Sequence, residues 1–384
     1  MQALEGLKVL DMTKWLPGQY CTMFLGDFGA DIIKVEDLDG DATRSFIPLK
    51  EEGLSYWHLM INRNKRCITV NLRTEEGKKI VKKLALEADI LVEGFKPGFM
   101  KKVGLDYPSL AKENPKLIFC SLTGFGQEGK FNRKPVHDLN VMGLAGMNAL
   151  DEESKEVCVT DMQVTAIGSG MNGFSGILLA LLAREKTGFG QQVDVSLFNT
   201  GVSQEIVSIA SHVGSKETGT NKFQRTSHYY NVVKCRDGRY LTIGAIEQKF
   251  WERMCDLIKH PELKNRRLDF AHTDELKAII ESEFLKKDLQ EWLDELDGDD
   301  ICLTPVCTLD EALASDIMAE SRMVTSKKTD IGQVHYVENP IKLSKTPAKA
   351  NERGSRLGEN NYEVLLKLGY SEAEIARLKK DKII

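Results

Sequence analysis

The sequence predicts an α/β fold: a large domain built on a parallel β-sheet, and a smaller α+β domain further along the chain. Through the first 125 residues, short apolar, β-branched segments alternate with helix-like segments. Helices placed between such strands are typical of βαβ units and a parallel sheet. A strand pair with a tight-turn signal comes only after residue 228, and it indicates a second folding unit.

Local patterns predict each element in turn. Strands are predicted at 7–11, 31–36, 66–72, 89–93, 117–122 and 193–197. Helices are predicted at 18–28, at 74–88 with Thr74 as the N-cap, and from about 168 to 185. Strands at 231–234 and 240–243 are joined by the turn 236–239, whose Asp-Gly pair favours a hairpin.

These elements divide the chain. Polar, Gly- and Thr-rich residues at 213–227 indicate a linker. We assign residues 1–212 to the large domain and residues 228–325 to the small domain. Residues 326–384 form a linker and a C-terminal return to the large domain.

Composition excludes several functional classes. The chain has 384 residues, of which 42% are apolar, and a formal net charge of −5. A nucleic-acid-binding protein needs a concentrated basic face, so we expect no nucleic-acid partner. The N-terminus lacks the pattern of a signal peptide, and glycines interrupt the most apolar stretch, 167–183. We therefore expect a core helix there, no membrane contact and a cytoplasmic location.

Cysteine spacing argues against a metal site. The eight cysteines lie at positions 21, 67, 120, 158, 235, 255, 302 and 307 and form no C-x-x-C pair. That spacing favours reduced, buried thiols over a disulfide framework or a zinc site. We expect no metal and no covalently bound cofactor.

A His-Asp pair is the first candidate for chemistry. The Gly-rich turn 122–127 follows a predicted strand, and His137 and Asp138 come ten residues later. Ligands of open α/β sheets bind at the carboxyl ends of the strands, so this pair is placed for proton transfer. A surface or helix-capping pair is the alternative.

Two further features suit catalysis. Gly168 and Gly170 lie at an expected helix entry, where backbone N–H groups favour a thioester oxyanion or enolate. Close helix packing is the alternative reason for these glycines. Glu247 follows a predicted strand, where it would orient a histidine or simply be a solvated charge.

Basic residues near strand ends suit the phosphates of a nucleotide-like ligand. They are Lys34, Arg73, Lys96 and the block 62–66, which ends at Arg66. A solvated run of charges is the alternative.

Seven sequence blocks resemble the family III CoA-transferase superfamily of the CaiB/BaiF type, which includes α-methylacyl-CoA racemase. They lie at 4–11, 29–36, 64–73, 92–98, 122–127, 176–191 and 302–306. Three features look more like the racemase branch: the blocks 137–140 and 244–247 and the C-terminal segment 369–384.

The resemblance implies a Rossmann-like large domain built from both chain ends, a small central domain and an interlocked homodimer. It implies an acyl-CoA substrate, His137 as a catalytic base, and Glu247 as its partner. CoA would contact the loop 136–141, including Val136 and Asn140, and the segment Val70, Asn71, Leu72 and Arg73.

Two departures from the family pattern matter. Residues 37–40 lack the usual Pro-Gly and the adenine-binding Arg that often follows it. Ala166 stands where the family has an aspartate, which is the nucleophile of the transferases and the second base of the racemases. Asp161 would replace that aspartate only if the backbone changed register. We favour an engineered Asp→Ala replacement that removes turnover; a naturally inactive or repurposed member is the alternative.

Three hypotheses follow. The favoured one is racemisation or epimerisation at the α-carbon of a 2-methylacyl-CoA-type thioester by two-base proton transfer, impaired by Ala166. The second is CoA transfer between carboxylic acids through an aspartyl-CoA intermediate. The third is a non-catalytic acyl-CoA binder.

Overall fold

A computed structural model of the chain describes residues 2–50, 53–148, 157, 159–218, 227–296 and 300–384. In these residues the strands are β1 (Lys8–Met12), β2 (Asp31–Glu36), β3 (Lys65–Thr69), β4 (Ile90–Glu93), β5 (Ile118–Thr123), β6 (Gln192–Ser196), β7 (Tyr230–Lys234), β8 (Tyr240–Gly244), β9 (Leu303–Pro305), β10 (Val324–Thr329) and β11 (Gly332–Val337). The helices are α1 (Trp15–Asp27), α2 (Tyr56–Ile61), α3 (Glu75–Glu87), α4 (Phe99–Lys102), α5 (Tyr107–Leu110), α6 (Asp138–Leu144), α7 (Val164–Thr187), α8 (Leu197–Gln204), α9 (Ile206–Thr218), α10 (Gln248–Leu257), α11 (Thr273–Phe284), α12 (Leu289–Leu296), α13 (Leu309–Ala314), α14 (Asp316–Ser321), α15 (Asn361–Lys367) and α16 (Glu372–Lys380).

Six strands form a parallel sheet in the order β3-β2-β1-β4-β5-β6. This is the strand order of doubly wound, Rossmann-like folds, so the predicted α/β class is confirmed. The chain order reverses between β1 and β4, and such sheets open a ligand crevice at the carboxyl ends of these two strands. The segments after Met12 and Glu93 are therefore where a site is expected.

Both faces of the sheet are covered. Leu10 and Leu91 pack into a core cluster with α3 and with residues as late as Ile384. Val9 and Ile90 point the other way, into a cluster with α1 and α7. Every residue of β4 and β5 is buried as a result, which explains the continuous apolar runs in the sequence.

Helix α7 has 24 residues and is long and apolar enough to cross a membrane, judged by length and composition alone. Its Phe174 and Ile177 are nevertheless buried in the core cluster that α7 shares with α1. The helix begins at Val164, one turn before the predicted start.

The chain divides into two compact units, Met1–Ile206 with Ser321–Ile384, and Val207–Glu320. The first contains the parallel sheet, so the large unit draws on both chain ends, as the resemblance implies. The second contains the antiparallel sheet β7-β8-β9 and the predicted hairpin, with Gly238 at φ 82° in its turn.

Two parts of the predicted linkers are helix or strand. Residues 206–218 form α9, and residues 219–226 of the predicted linker lie outside the described part of the chain. Residues 324–337 form the hairpin β10–β11 where the sequence predicts a polar linker. The strand Val324–Thr329 is mostly polar and hid the hairpin, although β11 alternates buried Val334 and Tyr336 with polar residues, a short strand signal that was missed.

The described cysteines are free thiols, and Cys158 lies outside the described residues. Among the described residues, no group of three or more His, Cys, Asp or Glu side chains is arranged to hold a metal ion.

Candidate active site

A cavity of about 620 Å³ opens at the carboxyl ends of β1, β4 and β5. It lies at the reversal of strand order, where the topology places a ligand site. It is lined by Lys14, Trp15, Leu16, Pro17, Thr43, Phe46, Trp57, Gly94, Leu122, Thr123, Gly124, Pro135, Val136, His137, Asp138, Gln163, Ala166 and Leu197. The structure thus brings together His137, Asp138, Ala166 and Val136, four of the residues that the sequence singles out.

His137 stands at the rim of this cavity, directly before α6. Its side chain is exposed, and its backbone N–H donates to Oδ1 of Asn140 at 3.0 Å. The imidazole meets the indole of Trp15 edge-on, with ring centroids 5.6 Å apart. Gly124 explains the preceding turn, because a Cβ there would lie 2.4 Å from the side chain of Val136. His137 is also the N-cap of α6 and forms a capping box with Asn140. An accessible imidazole held in this way is suited to proton transfer with a bound ligand.

Asp138 lines the cavity and also holds α7 in place. Its carboxylate is buried and accepts from the hydroxyl of Thr165 at 2.6 Å and from the backbone N–H of Ala166 at 2.7 Å. Both donors lie in the first turn of α7, where N–H groups have no partner inside the helix. Asp138 therefore caps α7 and positions its first turn, and its catalytic role stays a prediction.

Ala166 is fixed in the cavity wall by that cap. Its side chain is 4% exposed, and the bond from its N–H to Asp138 sets the register of α7. Asp161 is exposed ahead of the helix and is not among the residues that line the cavity. A register shift that brought Asp161 to position 166 would break the cap, so Asp161 is a poor substitute for the missing aspartate.

Gly168 and Gly170 do not form an oxyanion site. They lie beyond the first turn of α7, so their N–H groups are already bonded to carbonyl groups four residues earlier in the helix. A Cβ on Gly168 would lie 2.5 Å from the side chain of Gln204, and one on Gly170 would lie 2.7 Å from the carbonyl of Pro17. These glycines allow close packing of α7 against its neighbours.

A shallower groove of about 190 Å³ adjoins the cavity. The two share Gly94, Thr123, Gly124, Pro135 and Val136. Lys96, Arg133 and Lys134 also line the groove, and all three side chains are exposed. Lys96 was predicted for phosphate binding, whereas Arg133 and Lys134 were missed, although the basic pair stood in the loop before His137.

Comparison with known proteins identifies the relationship. A family model described as CoA-transferase family III matches residues 4–361. The chain belongs to this family.

Relatives in the family carry out two kinds of reaction. The chain is 30% identical to the α-methylacyl-CoA racemase of Homo sapiens, over 100% of this chain and 97% of the relative. It is also 30% identical to the succinyl-CoA:glutarate CoA-transferase of Mus musculus, over 98% of this chain and 89% of the relative. A solved CaiB/BaiF family protein from Brucella suis superposes with a TM-score of 0.81 at 29% identity, covering 96% of this chain and 99% of that one.

The other residues predicted to bind CoA lie away from the cavity or in the core. Arg66 lies at the amino-terminal half of β3 and pairs with Asp31 and Glu363, at the sheet edge opposite the site. Val70 and Leu72 have side chains buried in a core cluster, so only their backbone is available to CoA. The backbone N–H of Asn71 donates to Ile383, and the side chain of Arg73 is exposed.

Arg63 and Lys65 of the basic block 62–66, and Lys34, serve the interior instead of phosphates. Arg63 pairs with Asp27, and Lys65 lies 3.2 Å from Asp11, with all four side chains buried. Burial lowers the pKa of Lys65 to about 8. Burial alone would raise the pKa of Asp11, but the ammonium groups of Lys34 and Lys65 lower it to about 2. These charges neutralise one another inside the fold.

Glu247 lies in the other unit, directly before α10, and its side chain is exposed. Its pairing with His137 stays a prediction.

Arg44 is the next arginine after the segment 37–40, which lacks the family's adenine-binding Arg. It forms a buried pair with Glu36 at 2.7 Å, so its guanidinium is already engaged.

Glu93, at the end of β4, was missed. It is 2% exposed. Its carboxylate accepts from the backbone N–H of Phe95 at 2.7 Å and from the side-chain amide of Gln127 at 3.5 Å. Burial raises the pKa of its carboxyl to about 7. The sequence signal that could have identified Glu93 is a glutamate at the end of an otherwise apolar strand.

Proposed function

We propose that the cavity binds the thioester end of an acyl-CoA and that His137 exchanges a proton with its α-carbon. One observation carries this proposal: His137 and residue 166 line the same cavity at the strand-order reversal. A thioester acidifies the α C–H, and a racemase needs one proton-transfer group on each face of that carbon. The accessible imidazole supplies one group.

The basic groove supports CoA as the carrier. Lys96, Arg133 and Lys134 offer three positive charges where the groove meets the cavity, and phosphates favour such clusters. The CoA phosphates would lie in the groove, and the pantetheine arm would pass Gly124 and Val136 towards His137.

Ala166 makes the proposed chemistry one-sided. A methyl group transfers no proton, and Asp138, the one carboxylate among the described residues lining the cavity, is bonded to α7. The chain would exchange the α-proton on the His137 face but would return it to the same face. Loss of one acid–base group typically costs roughly 10²–10⁴-fold in rate.

Proton NMR in D₂O tests the proposal with (R)- and (S)-2-methylacyl-CoA. We expect the chain to exchange the α-proton of one enantiomer without inverting it. Ala166→Asp should racemise both enantiomers and exchange the α-proton about 10²–10⁴-fold faster than the unmodified chain. His137→Gln should abolish exchange, and His335→Gln, at an exposed histidine of β11, is the matched control. Absence of exchange even after Ala166→Asp would defeat the racemase proposal.

CoA transfer is the second candidate, because relatives with transferase names match the whole chain equally well. Transfer needs a carboxylate nucleophile, which Ala166 cannot supply. Ala166→Asp, assayed with acyl-CoA donors and free carboxylate acceptors, separates the two reactions. Turnover that requires an acceptor supports transfer, whereas turnover without one supports racemisation. Tight acyl-CoA binding with neither activity would favour a non-catalytic binder.

The origin of Ala166 stays a prediction. An engineered replacement of an aspartate remains our preferred hypothesis, because the cap that fixes position 166 is intact and the cavity is formed. Sequencing the native gene tests this hypothesis, and an Ala codon at position 166 of that gene would refute it.

A further inference from the structure

Three aromatic side chains form one continuous surface inside the candidate site. The rings of Trp15 and Phe46 have centroids 5.7 Å apart, and those of Phe46 and Trp57 have centroids 5.3 Å apart. All three line the cavity, and Trp15 also touches the imidazole of His137. We call Trp15, Phe46 and Trp57 the aromatic wall.

The aromatic wall leaves much of its area uncovered. Trp15 is 40% exposed and Trp57 is 42% exposed, although both face a concave cavity. Large exposed aromatic groups at a concave site mark a place where a ligand covers them. The wall offers π faces and edges, with no charged group among its three members.

The backbone holds the wall in place before any ligand arrives. Trp15 has φ 65°, in the left-handed region that a bulky residue rarely adopts. Its N–H lies 3.4 Å from the carboxylate of Asp41, which also binds Thr43 in the segment leading to Phe46. Ser55 caps the helix that carries Trp57. A strained backbone of this kind persists only where surrounding contacts hold it, and it is found where a side chain must be presented in one orientation.

The position of the wall indicates which part of a ligand it meets. The basic groove shares Val136 and four neighbours with the cavity but contains no residue of the wall. Phosphates, thioester and acyl group follow one another in an acyl-CoA. With the phosphates in the groove and the thioester at His137, the acyl group reaches the wall, and the adenine does not.

We propose that the aromatic wall is the acyl subsite and that it selects acyl groups bearing an aromatic ring over aliphatic groups of equal size. The inference rests on the proposed function, since it takes the ligand to be an acyl-CoA. Each favourable aromatic pair adds about 2- to 12-fold in affinity beyond the area buried. Contact with two members of the wall gives an expected preference of about tenfold or more.

Calorimetric titration of the full chain tests this with two stable CoA thioethers, S-(3-phenylpropyl)-CoA and S-(3-cyclohexylpropyl)-CoA, and with CoA alone. We expect the phenyl ligand to bind about tenfold more tightly than the cyclohexyl ligand. Trp15→Leu/Trp57→Leu leaves Phe46 as the one ring of the wall, so it should reduce that ratio severalfold and leave the Kd of CoA unchanged. Phe189→Leu, at an aromatic residue 65% exposed and outside the cavity, should keep the full ratio.

The outcomes separate the two proposals. Equal affinity for the two thioethers in the unmodified chain, with CoA still bound, overturns the acyl-subsite inference and leaves the proposed function standing. The same holds if the double variant keeps the tenfold preference. Failure of CoA and both thioethers to bind overturns both. The comparison within the unmodified chain does not depend on how well a variant folds.

Discussion

Removal of the Asp138 carboxylate should destabilise the large unit by an amount that the contacts allow us to estimate. One oxygen, Oδ1, accepts both from Thr165 and from the N–H of Ala166, and all three groups are buried. Hydrogen bonds to a charged partner contribute about 1.5–3 kcal/mol each, and an anion at a helix N-terminus adds about 0.3–1 kcal/mol. Asp138→Ala should therefore cost about 4 kcal/mol of unfolding free energy.

Asp138→Asn separates the hydrogen bonds from the charge. Its amide oxygen can occupy the place of Oδ1 and accept from the same two donors, so the loss should be about 1–2 kcal/mol. Thr165→Val removes a single donor and should cost about 2 kcal/mol. In the double variant with Asp138→Ala the two losses should fall short of additivity, because both remove the same bond.

Urea unfolding gives the free energies, and hydrogen exchange at the amide of Ala166 reports the cap directly. We expect Asp138→Ala to lose protection at Ala166 while the far end of α7 stays protected. The reasoning is refuted if Asp138→Ala unfolds within about 1 kcal/mol of the parent and yet abolishes α-proton exchange by His137. That pattern would return Asp138 to a direct role in proton transfer.

Three further predictions address charge. Burial raises the pKa of Glu93 to about 7 from an ordinary value of 4.5, so between these pH values the folded protein holds a proton that the unfolded chain has released. The unfolding free energy should therefore fall by about 3 kcal/mol as pH rises from about 4.5 to 7 and then level off. Urea titrations at pH 5 and 8 should show that Glu93→Gln removes this loss. Arg66→Ala should leave the Kd of CoA unchanged and lower the unfolding free energy by less than about 1 kcal/mol. Lys134→Ala should weaken CoA binding severalfold, and more so at low salt. Equal effects of the two variants on the calorimetric Kd would contradict the assignment of the groove to CoA. Lys65→Met should cost about 3–5 kcal/mol in urea unfolding, since Asp11 would be left buried and unpaired, and a neutral outcome would mean that Lys34 alone compensates it.

The sheet was readable from the sequence because its strands are local and strongly patterned. All six predicted strands correspond to β1–β6 within a few residues, and Thr74 does cap α3 by accepting from the N–H of Gly77. The fully buried strands β4 and β5 are continuous, largely apolar runs, as expected for the centre of a parallel sheet.

The site was only partly readable, because side-chain roles depend on partners far away in the chain. His137 and Ala166 were placed correctly in one cavity, since a strand end and a helix start each carry a sequence signal. The burial of Lys65 and the binding of Asp138 to α7 depend on contacts 54 and 28 residues away. A charge that is buried and paired looks the same in a sequence as one in solvent.

Glycines gave the clearest error. Gly168 and Gly170 looked like an exposed helix entry because the predicted start of α7 was one turn late. Helix ends are set by capping, and the cap here comes from a residue outside the local window, Asp138. The same displacement turned two packing glycines into supposed oxyanion donors.

The core cluster that joins Leu10 to Ile384 has a consequence for the order of events during synthesis. A ribosome delivers the chain from its amino end, so the core cluster that contains Leu10 stays incomplete until residues 364–384 have emerged. Residues 207–320 form a contiguous unit with its own core, and that unit can fold while the large one is still open. Replacement of Ile383 and Ile384 by Ser would open this core cluster in every newly made molecule, and we expect such chains to aggregate rather than merely lose affinity for a ligand.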